Sequence, residues 1–284
     1  MKWSNIKELL MHILFFLTAC VSIFAVVLIC VFLFANGIPA IGKIGVFKFL
    51  LGTKWKPGND IYGILPMILG SLYVTAGAII IGVPIGLLTA VFLAKFCPKG
   101  LYKILKPATE LMAGVPSVVY GFFGLVVLVP LVQNIFGVAG NTMLTASVLL
   151  GIMILPTIIG VSESAIRAVR EKCRLSRALG ASHERSVFFA TLPAARSGIL
   201  AGVVLGIGRA IGETMAVVMV AGNKARMPQG LLDGVRTMTA NIVMEMGYAT
   251  DLHREALIAT AVVLFVFILV INVTFSLLRR KDRA

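Results

Sequence analysis

The sequence predicts an all-α integral membrane protein with six transmembrane helices. Of its 284 residues, 59% are hydrophobic and 13% are charged, whereas an ordinary soluble domain has roughly 25% charged residues. A soluble fold of this size has too little interior to bury so much apolar surface. The hydrophobic residues are gathered in six runs, each longer than the about 9–11 residues of a membrane β-strand and without alternation. The runs are therefore expected to be helices that cross a lipid bilayer.

In chain order, the runs are residues 12–35, 64–94, 111–136, 142–161, 198–221 and 256–278. The first run follows Lys2 and Lys7, as in a signal peptide. It is longer than the roughly 7–15 apolar residues of a signal sequence and lacks a small-residue cleavage site, so we interpret it as a retained helix. The second run is long enough to tilt in the bilayer or to project from it, because about 20 apolar residues suffice to span it.

The later runs are separated by segments of different kinds. The third run contains the segment GVPSVVYG at residues 114–121. Its glycines and proline predict either an ordinary kink or a break whose freed backbone groups line a cavity. The turn before the fourth run is short and uncharged. Residues 222–255, between the fifth and sixth runs, are numerous enough to predict a folded external element.

The basic residues predict the orientation of the helices. Seventeen lysines and arginines lie in the two termini and in the loops after the second and fourth runs, against eight in the remaining loops. Because basic loops stay on the cytoplasmic side, both termini are predicted to be cytoplasmic and the chain to be a multi-pass protein of the plasma membrane. The net charge of +14 is thus explained by lysines and arginines in the cytoplasmic loops of a membrane protein, and the predicted partners include membrane lipid but no nucleic acid.

Two charged residues within the fifth run are the strongest functional signal. Arg209 and Glu213 lie four positions apart, which places them on one helix face where they can pair. Because a lone charge in a membrane is costly, such residues are candidates for a functional site. We predict that Arg209 receives an anion, that Glu213 holds the Arg209 side chain and releases it when the anion arrives, and that the Thr214 hydroxyl is an additional donor. The alternative is an ion pair that only joins two helices.

Five glycines surround this pair, and we interpret them as a packing surface. They are Gly198, Gly202, Gly206, Gly208 and Gly212. Small residues at four-residue intervals allow two helices to approach closely. The same surface is expected to lie at a seam between subunits, which could open and close.

The basic loop after the fourth run predicts a helix–glycine–helix unit. Leu175 and Leu179 mark one helical face, Gly180 allows a sharp turn, Ser182 can cap a second short helix, and Pro193 is expected to end the unit. Apolar residues outside the membrane suggest that the unit docks into a groove of another protein. The alternative is an amphipathic helix on the membrane surface. The chain contains no nucleotide-binding motif, and its scattered cysteines and histidines predict no metal site.

This loop resembles the EAA loop of ABC importer permeases, whose pattern is E-A-A-x3-G-x9-I-x-L-P. Gly180, Leu192 and Pro193 have the expected spacing, and Ala190 stands at the isoleucine position. The resemblance implies a type I ABC importer permease core built from the second to sixth runs, preceded by one extra helix. It assigns the contact with the ATPase to Arg174, Leu175, Ser176, Gly180, Ala181, Leu192 and Pro193.

The segment GRAIGETMAV at residues 208–217 resembles the signature of the Pst phosphate permeases, in particular the PstC-type subunits. Residues 114–124 and 152–158 are also similar to that family. The resemblance implies that Arg209 and Glu213 serve phosphate translocation. It also implies a permease domain at residues 64–280, preceded at residues 1–63 by the cytoplasmic tip, the first helix and an external segment.

The same resemblance implies a set of partners. They are a PstA-type permease that completes a heterodimer, a PstB-type ATPase dimer that binds ATP and Mg, and a PstS-type phosphate-binding protein. This chain itself is expected to hold no cofactor and to be no enzyme. Two alternatives remain: a stand-alone secondary anion carrier or channel, and an ABC permease for another oxyanion such as sulfate or molybdate.

Overall fold

The computed structural model describes the backbone of residues 2–169, 178 and 180–281, and the side chains within those ranges except at 2–6, 275–276 and 278–281. The α-helices are α1 Lys2–Ile44, α2 Val46–Leu51, α3 Leu65–Val91, α4 Lys99–Gly114, α5 Ser117–Phe123, α6 Val129–Phe136, α7 Met143–Ala168, α8 His183–Ser186, α9 Leu192–Gly212, α10 Met215–Val220, α11 Met238–Glu245 and α12 Asp251–Lys281. Two short strands, β1 Trp55–Lys56 and β2 Ile61–Tyr62, pair antiparallel.

Three π-helical turns connect these helices. Phe92–Phe96 extends α3, Gly124–Leu128 joins α5 to α6, and Val187–Thr191 joins α8 to α9. A 3₁₀ turn, Pro57–Asn59, links the two strands.

The prediction of six transmembrane helices is confirmed for the described part of the chain. Six helical segments are long and apolar enough to cross a membrane: Lys7–Ile44, Leu65–Phe96, Ser117–Phe136, Met143–Ala168, His183–Gly212 and Asp251–Thr274. Hydropathy locates such segments well, because a helix that crosses the bilayer needs a long uncharged stretch in which every backbone N–H and C=O group is hydrogen-bonded within the helix.

Two of the predicted runs have different helix boundaries in the structure. The third run begins only at Ser117, because Pro116 forces the extended backbone of Val115 (φ −68°, ψ 127°) and separates α4 from α5. The segment 114–121 is therefore a break rather than a kink. The predicted fifth run, 198–221, is interrupted after Gly212, where Glu213 has extended dihedrals (φ −69°, ψ 131°).

Helix α7 forms the centre of the bundle. In its most apolar stretch 61% of the residues are buried, against 0% for α1. Leu149, Leu150, Met153, Ile154 and Ile158 of α7 are almost completely buried. Helices α3 and α9 pack against α7 on glycines, so the bundle around α7 is close-packed, and α1 lies outside it with most of its apolar side chains exposed.

The packing role predicted for the glycines is confirmed for part of the set. A Cβ atom at Gly202 would lie 3.1 Å from Oγ of Ser162, and one at Gly206 would lie 2.9 Å from Cγ1 of Ile158. At Gly208 and Gly212 a Cβ would meet no described atom within 4 Å. The close contact of α9 is thus with α7 of the same chain, and it involves the glycines before Gly208.

We expect Gly206→Val to weaken the α7–α9 contact, because the added methyl groups must displace Ile158 in a packed interior. Overpacking of this kind costs about 1–3 kcal/mol. Gly208→Val is the matched control, since a Cβ at that position would meet no described atom within 4 Å. Thermal melting of the purified chain in detergent should show a lower midpoint for Gly206→Val than for the control, and equal midpoints would contradict the packing assignment.

Candidate functional site

The break between α9 and α10 positions the predicted site residues. Arg209 is half-buried in the last turn of α9, and its Nη1 donates a hydrogen bond to Oγ1 of Thr157 on α7 at 3.3 Å. Oε1 of Glu213 accepts from the backbone N–H of Ala216 at 3.1 Å. The Thr214 hydroxyl donates to the Gly212 carbonyl at 3.2 Å. The three residues therefore lie together, but each has a different partner.

The predicted pairing of Arg209 with Glu213 is wrong. Residues four apart share a face only in a continuous helix, and α9 ends at Gly212. The Glu213 carboxylate instead caps the first turn of α10, satisfying a backbone donor that has no helical partner. Among the described residues, no carboxylate lies within the 4.0 Å of an ion pair from the Arg209 guanidinium. Arginine carries several N–H donors, and here one of them is engaged by a described side chain.

The break at Pro116 lies next to this region. The Tyr120 hydroxyl donates to the Met112 carbonyl at 2.9 Å and so bridges α4 and α5 across the break. A Cβ at Gly121 would lie 3.0 Å from Cα of Ala216, so α5 and α10 are in backbone contact. Two broken helices thus meet where Glu213 caps the first turn of α10.

A second cluster surrounds Glu163, which the sequence analysis did not identify. Its side chain is 2% exposed and accepts hydrogen bonds from the Tyr102 hydroxyl at 2.8 Å, Lys106 Nζ at 2.9 Å and Arg167 Nε at 2.8 Å. The Arg167 guanidinium also lies 4.4 Å from the centre of the Tyr102 ring. The cluster therefore joins α4 to the end of α7.

The protonation states fit this arrangement. Burial lowers the pKa of Lys106, but its hydrogen bond to Glu163 and the charge of that carboxylate raise it more, so the net shift is upward and the amine stays charged. The pKa of Tyr102 is raised, first by burial and then by the hydrogen bond to Glu163, so its hydroxyl remains a neutral donor.

The predicted coupling loop is partly described. Arg174, Leu175 and Ser176, together with Leu179, lie outside the described residues. Gly180 has φ +89°, which agrees with the predicted sharp turn, and Ala181 follows it half-buried. The predicted cap at Ser182 is confirmed, because its Oγ accepts from the Arg185 N–H at 3.3 Å.

The prediction that Pro193 ends the unit is wrong. Pro193 lies in the first turn of α9, directly after Leu192, and the helix runs without interruption over His183–Gly212. The preceding π turn, Val187–Thr191, allows this, because it changes the hydrogen-bond register just before the missing proline donor.

Both flanks of the loop contact the π turn Phe92–Phe96. Before the loop, Arg167 Nη2 donates to the Leu93 carbonyl at 2.8 Å. After the loop, Nε2 of His183 lies 3.1 Å from the Lys95 carbonyl, and its ring packs edge-on against Phe96 with 5.1 Å between centroids. A displacement of the loop would therefore act on the end of α3 at two points.

At the opposite end of the bundle, the predicted folded element is present. It contains α11, whose Glu245 accepts from Trp55 Nε1 at 2.7 Å and Arg236 Nη1 at 2.6 Å and lies 2.9 Å from His253 Nε2. Nearby, hydrogen bonds from Lys224 first, and then from Arg226 and the Gly234 N–H, lower the pKa of Asp233 to about 2 against the opposing effect of burial. Asp233 therefore stays ionised at any physiological pH.

The comparisons with known proteins agree with this architecture. Residues 82–283 match the family described as binding-protein-dependent transport system inner membrane component. The chain is 37% identical over 278 residues to the probable ABC transporter permease protein YqgH of Bacillus subtilis, covering 93% of this chain and 89% of that protein. It is 34% identical over 277 residues to the phosphate transport system permease protein PstC of Mesorhizobium japonicum, covering 89% of this chain and 84% of that protein.

Among solved structures, the fold is similar to the inward-facing MetNI methionine ABC transporter. The TM-score is 0.63 at 19% identity, with 81% of this chain and 99% of that chain covered.

Proposed function

Because the chain belongs to the family of binding-protein-dependent transport system inner membrane components, we propose that it is the permease subunit of an ATP-driven phosphate importer. It is a multi-pass protein of the cytoplasmic membrane with a type I ABC importer permease fold. Relatives named as phosphate transport permeases match most of its length at 31–34% identity, and this supports phosphate as the substrate.

The observation that carries the proposal is the position of Arg209. A half-buried guanidinium at a helix break, with no carboxylate partner among the described residues, has donors to offer an anion. Its planar fork matches the oxygens of phosphate. Glu213 acts in this scheme by holding the start of α10, and Thr214 supplies a hydroxyl beside the break.

The partners follow from the family. The chain would pair with a PstA-type permease, receive phosphate from a PstS-type binding protein and be driven by a PstB-type ATPase dimer that binds ATP and Mg. Both termini would then be cytoplasmic, as the excess of basic residues in those regions supports. The loop from Arg174 to Pro193 would transmit the movement of the ATPase, and the contacts that Arg167 and His183 make with Phe92–Phe96, on either side of Gly180, support this role. Residues 64–280 would form the permease domain.

The proposal is tested by phosphate uptake in cells that lack their own phosphate importers. Expression of the chain with its three partner proteins should restore uptake of radiolabelled phosphate, and an excess of unlabelled sulfate or molybdate should not compete. Omission of the ATPase should abolish uptake. Equal competition by sulfate would contradict phosphate specificity, and uptake without the ATPase would favour a stand-alone carrier.

We expect Gly180→Val to reduce ATP hydrolysis coupled to transport. The left-handed backbone of Gly180 (φ +89°) costs a residue with a Cβ about 1–2 kcal/mol, and most for a β-branched one. The helix that follows should therefore tilt. Gly180→Asn is the matched control, because asparagine tolerates this conformation. Phosphate-stimulated ATP hydrolysis should fall several-fold in the valine variant and little in the asparagine variant, and equal rates would show that the turn does not act in coupling.

A further inference from the structure

A basic cavity lies where α1, α2 and the β1–β2 hairpin meet. It has a volume of about 620 Å³, and Lys43, Lys48 and Lys54 line it together with one acid, Asp60. We propose that this cavity binds the phosphate group of an anionic phospholipid in the leaflet opposite the N-terminus. The proposal is independent of the transported substrate.

The length of α1 places the cavity at the depth of the lipid headgroups. No charged residue lies between Glu8 and Lys43, a separation of 35 positions within one helix. At about 1.5 Å per residue this corresponds to about 50 Å. A bilayer with its headgroup layers is about 40–45 Å thick, so a modestly tilted helix places Glu8 and Lys43 in the two opposite headgroup layers.

Helix α2 provides an apolar surface at the same depth. The chain turns sharply at Gly45 (φ +93°) and enters α2, in which Phe49 is buried against the bundle. Val46, Phe47 and Leu51 point away from the bundle and are 50%, 80% and 60% exposed. An apolar surface at the boundary between headgroups and acyl chains is typical of a helix that lies in the membrane interface.

The charges of the cavity favour an anion. Lys43 forms an ion pair with Glu255 at 2.7 Å, whereas Lys48 and Lys54 have neither a hydrogen bond nor an ion pair with any described side chain. Asp60 already accepts a hydrogen bond from the Tyr62 hydroxyl at 3.2 Å. Two lysines therefore remain for a ligand, and a compact ammonium is a good partner for phosphate oxygens.

A phospholipid phosphate and free inorganic phosphate share this chemistry, but the surroundings favour the lipid. The exposed apolar side chains of α2 would make no favourable contact with a small hydrophilic ion, whereas they can pack against the acyl chains of a lipid whose headgroup occupies the cavity. Basic residues at a membrane surface strengthen the binding of anionic lipids in proportion to their number.

The test uses the complete transporter in nanodiscs of phosphatidylcholine with a minority of phosphatidylglycerol. Native mass spectrometry counts the lipid molecules that stay bound after the transporter is released from the nanodiscs. Lys48→Gln/Lys54→Gln should lower the retained phosphatidylglycerol by about tenfold or more, as expected for the loss of two surface cations. The matched control is Lys56→Gln/Arg254→Gln, which removes two exposed charges from the same surface but none that lines the cavity. Its retention should equal that of the unmodified protein. Phe47→Ser should also lower retention, without a change in charge.

Three results would overturn the proposal. The first is equal retention of phosphatidylglycerol in the two double variants, which would indicate that Lys48 and Lys54 bind an acidic protein instead of a lipid. The second is equal retention of phosphatidylcholine and phosphatidylglycerol. The third concerns nanodiscs of phosphatidylcholine alone: binding of radiolabelled inorganic phosphate that is lost in Lys48→Gln/Lys54→Gln but kept in the control would assign the cavity to free phosphate.

Discussion

Arg209→Gln should reduce phosphate uptake by about 10- to 100-fold, the effect of losing a hydrogen bond to a charged group worth about 1.5–3 kcal/mol. The Arg209 guanidinium, at the α9–α10 break, can offer an anion both a positive charge and several N–H donors. Its one side-chain hydrogen bond in the described structure is long, at 3.3 Å, and goes to the uncharged hydroxyl of Thr157, so its loss should not prevent assembly. Uptake by the assembled transporter at matched membrane levels measures the effect.

Three further variants separate translocation from structure. Arg209→Lys keeps the charge without the fork and should retain part of the uptake. Thr157→Val removes the contact with α7 but leaves Arg209 charged, so it should reduce uptake less than Arg209→Gln does. Glu213→Gln should assemble normally, because its amide oxygen can still accept from the Ala216 N–H.

The double variant Arg209→Gln/Glu213→Gln should show the same reduced uptake as Arg209→Gln, because the two residues do not form an ion pair and the second substitution cannot compensate for the first. Near-normal uptake by Arg209→Gln or by the double variant would remove Arg209 from the substrate path.

Glu163→Ala should give the largest loss of stability. Removing one partner of a buried ion pair costs about 3–5 kcal/mol. We expect the lower end of this range, since the side chains of Lys106 and Arg167 remain 24% and 32% exposed and keep some water. Without the carboxylate, α4 should separate from α7. Thermal melting of the purified transporter in detergent should show a markedly lower midpoint.

Glu110→Gln is the matched control for this change. Glu110 also approaches Lys106, at 3.5 Å, but its side chain is 65% exposed, and such surface pairs contribute about 0–1 kcal/mol. Its melting midpoint should therefore stay close to that of the unmodified protein. If Glu163→Ala melts like Glu110→Gln, the buried cluster does not hold α4.

The features predictable from the sequence are those that local chemistry determines. The six spans follow from the length of apolar segments in lipid, the turn at Gly180 from the absence of a Cβ, and the cap at Ser182 from a hydroxyl placed before a helix. Each needs only neighbouring residues. The position of Arg209 inside a span was predictable for the same reason, since its cost in lipid does not depend on its partner.

The incorrect predictions concern features whose structure depends on residues distant in the sequence. Residues 215–220 are as apolar as those before Gly212, so hydropathy could not reveal the break that separates Arg209 from Glu213. The Glu163 cluster depends on α4 folding back onto α7. The predicted fourth run stopped at residue 161, whereas α7 continues to Ala168. The four-residue spacing of Glu163 and Arg167 was the signal that could have located the cluster.

The most direct test of the account is ATP-dependent phosphate uptake by proteoliposomes of defined composition. Liposomes that contain this chain, its partner permease and the ATPase, supplied with the binding protein, should accumulate radiolabelled phosphate only when ATP and Mg are accessible to the ATPase. Liposomes that contain this chain alone should accumulate none. Accumulation by the chain alone, or by the complete set without ATP, would contradict the assignment as the permease of an ATP-driven phosphate importer.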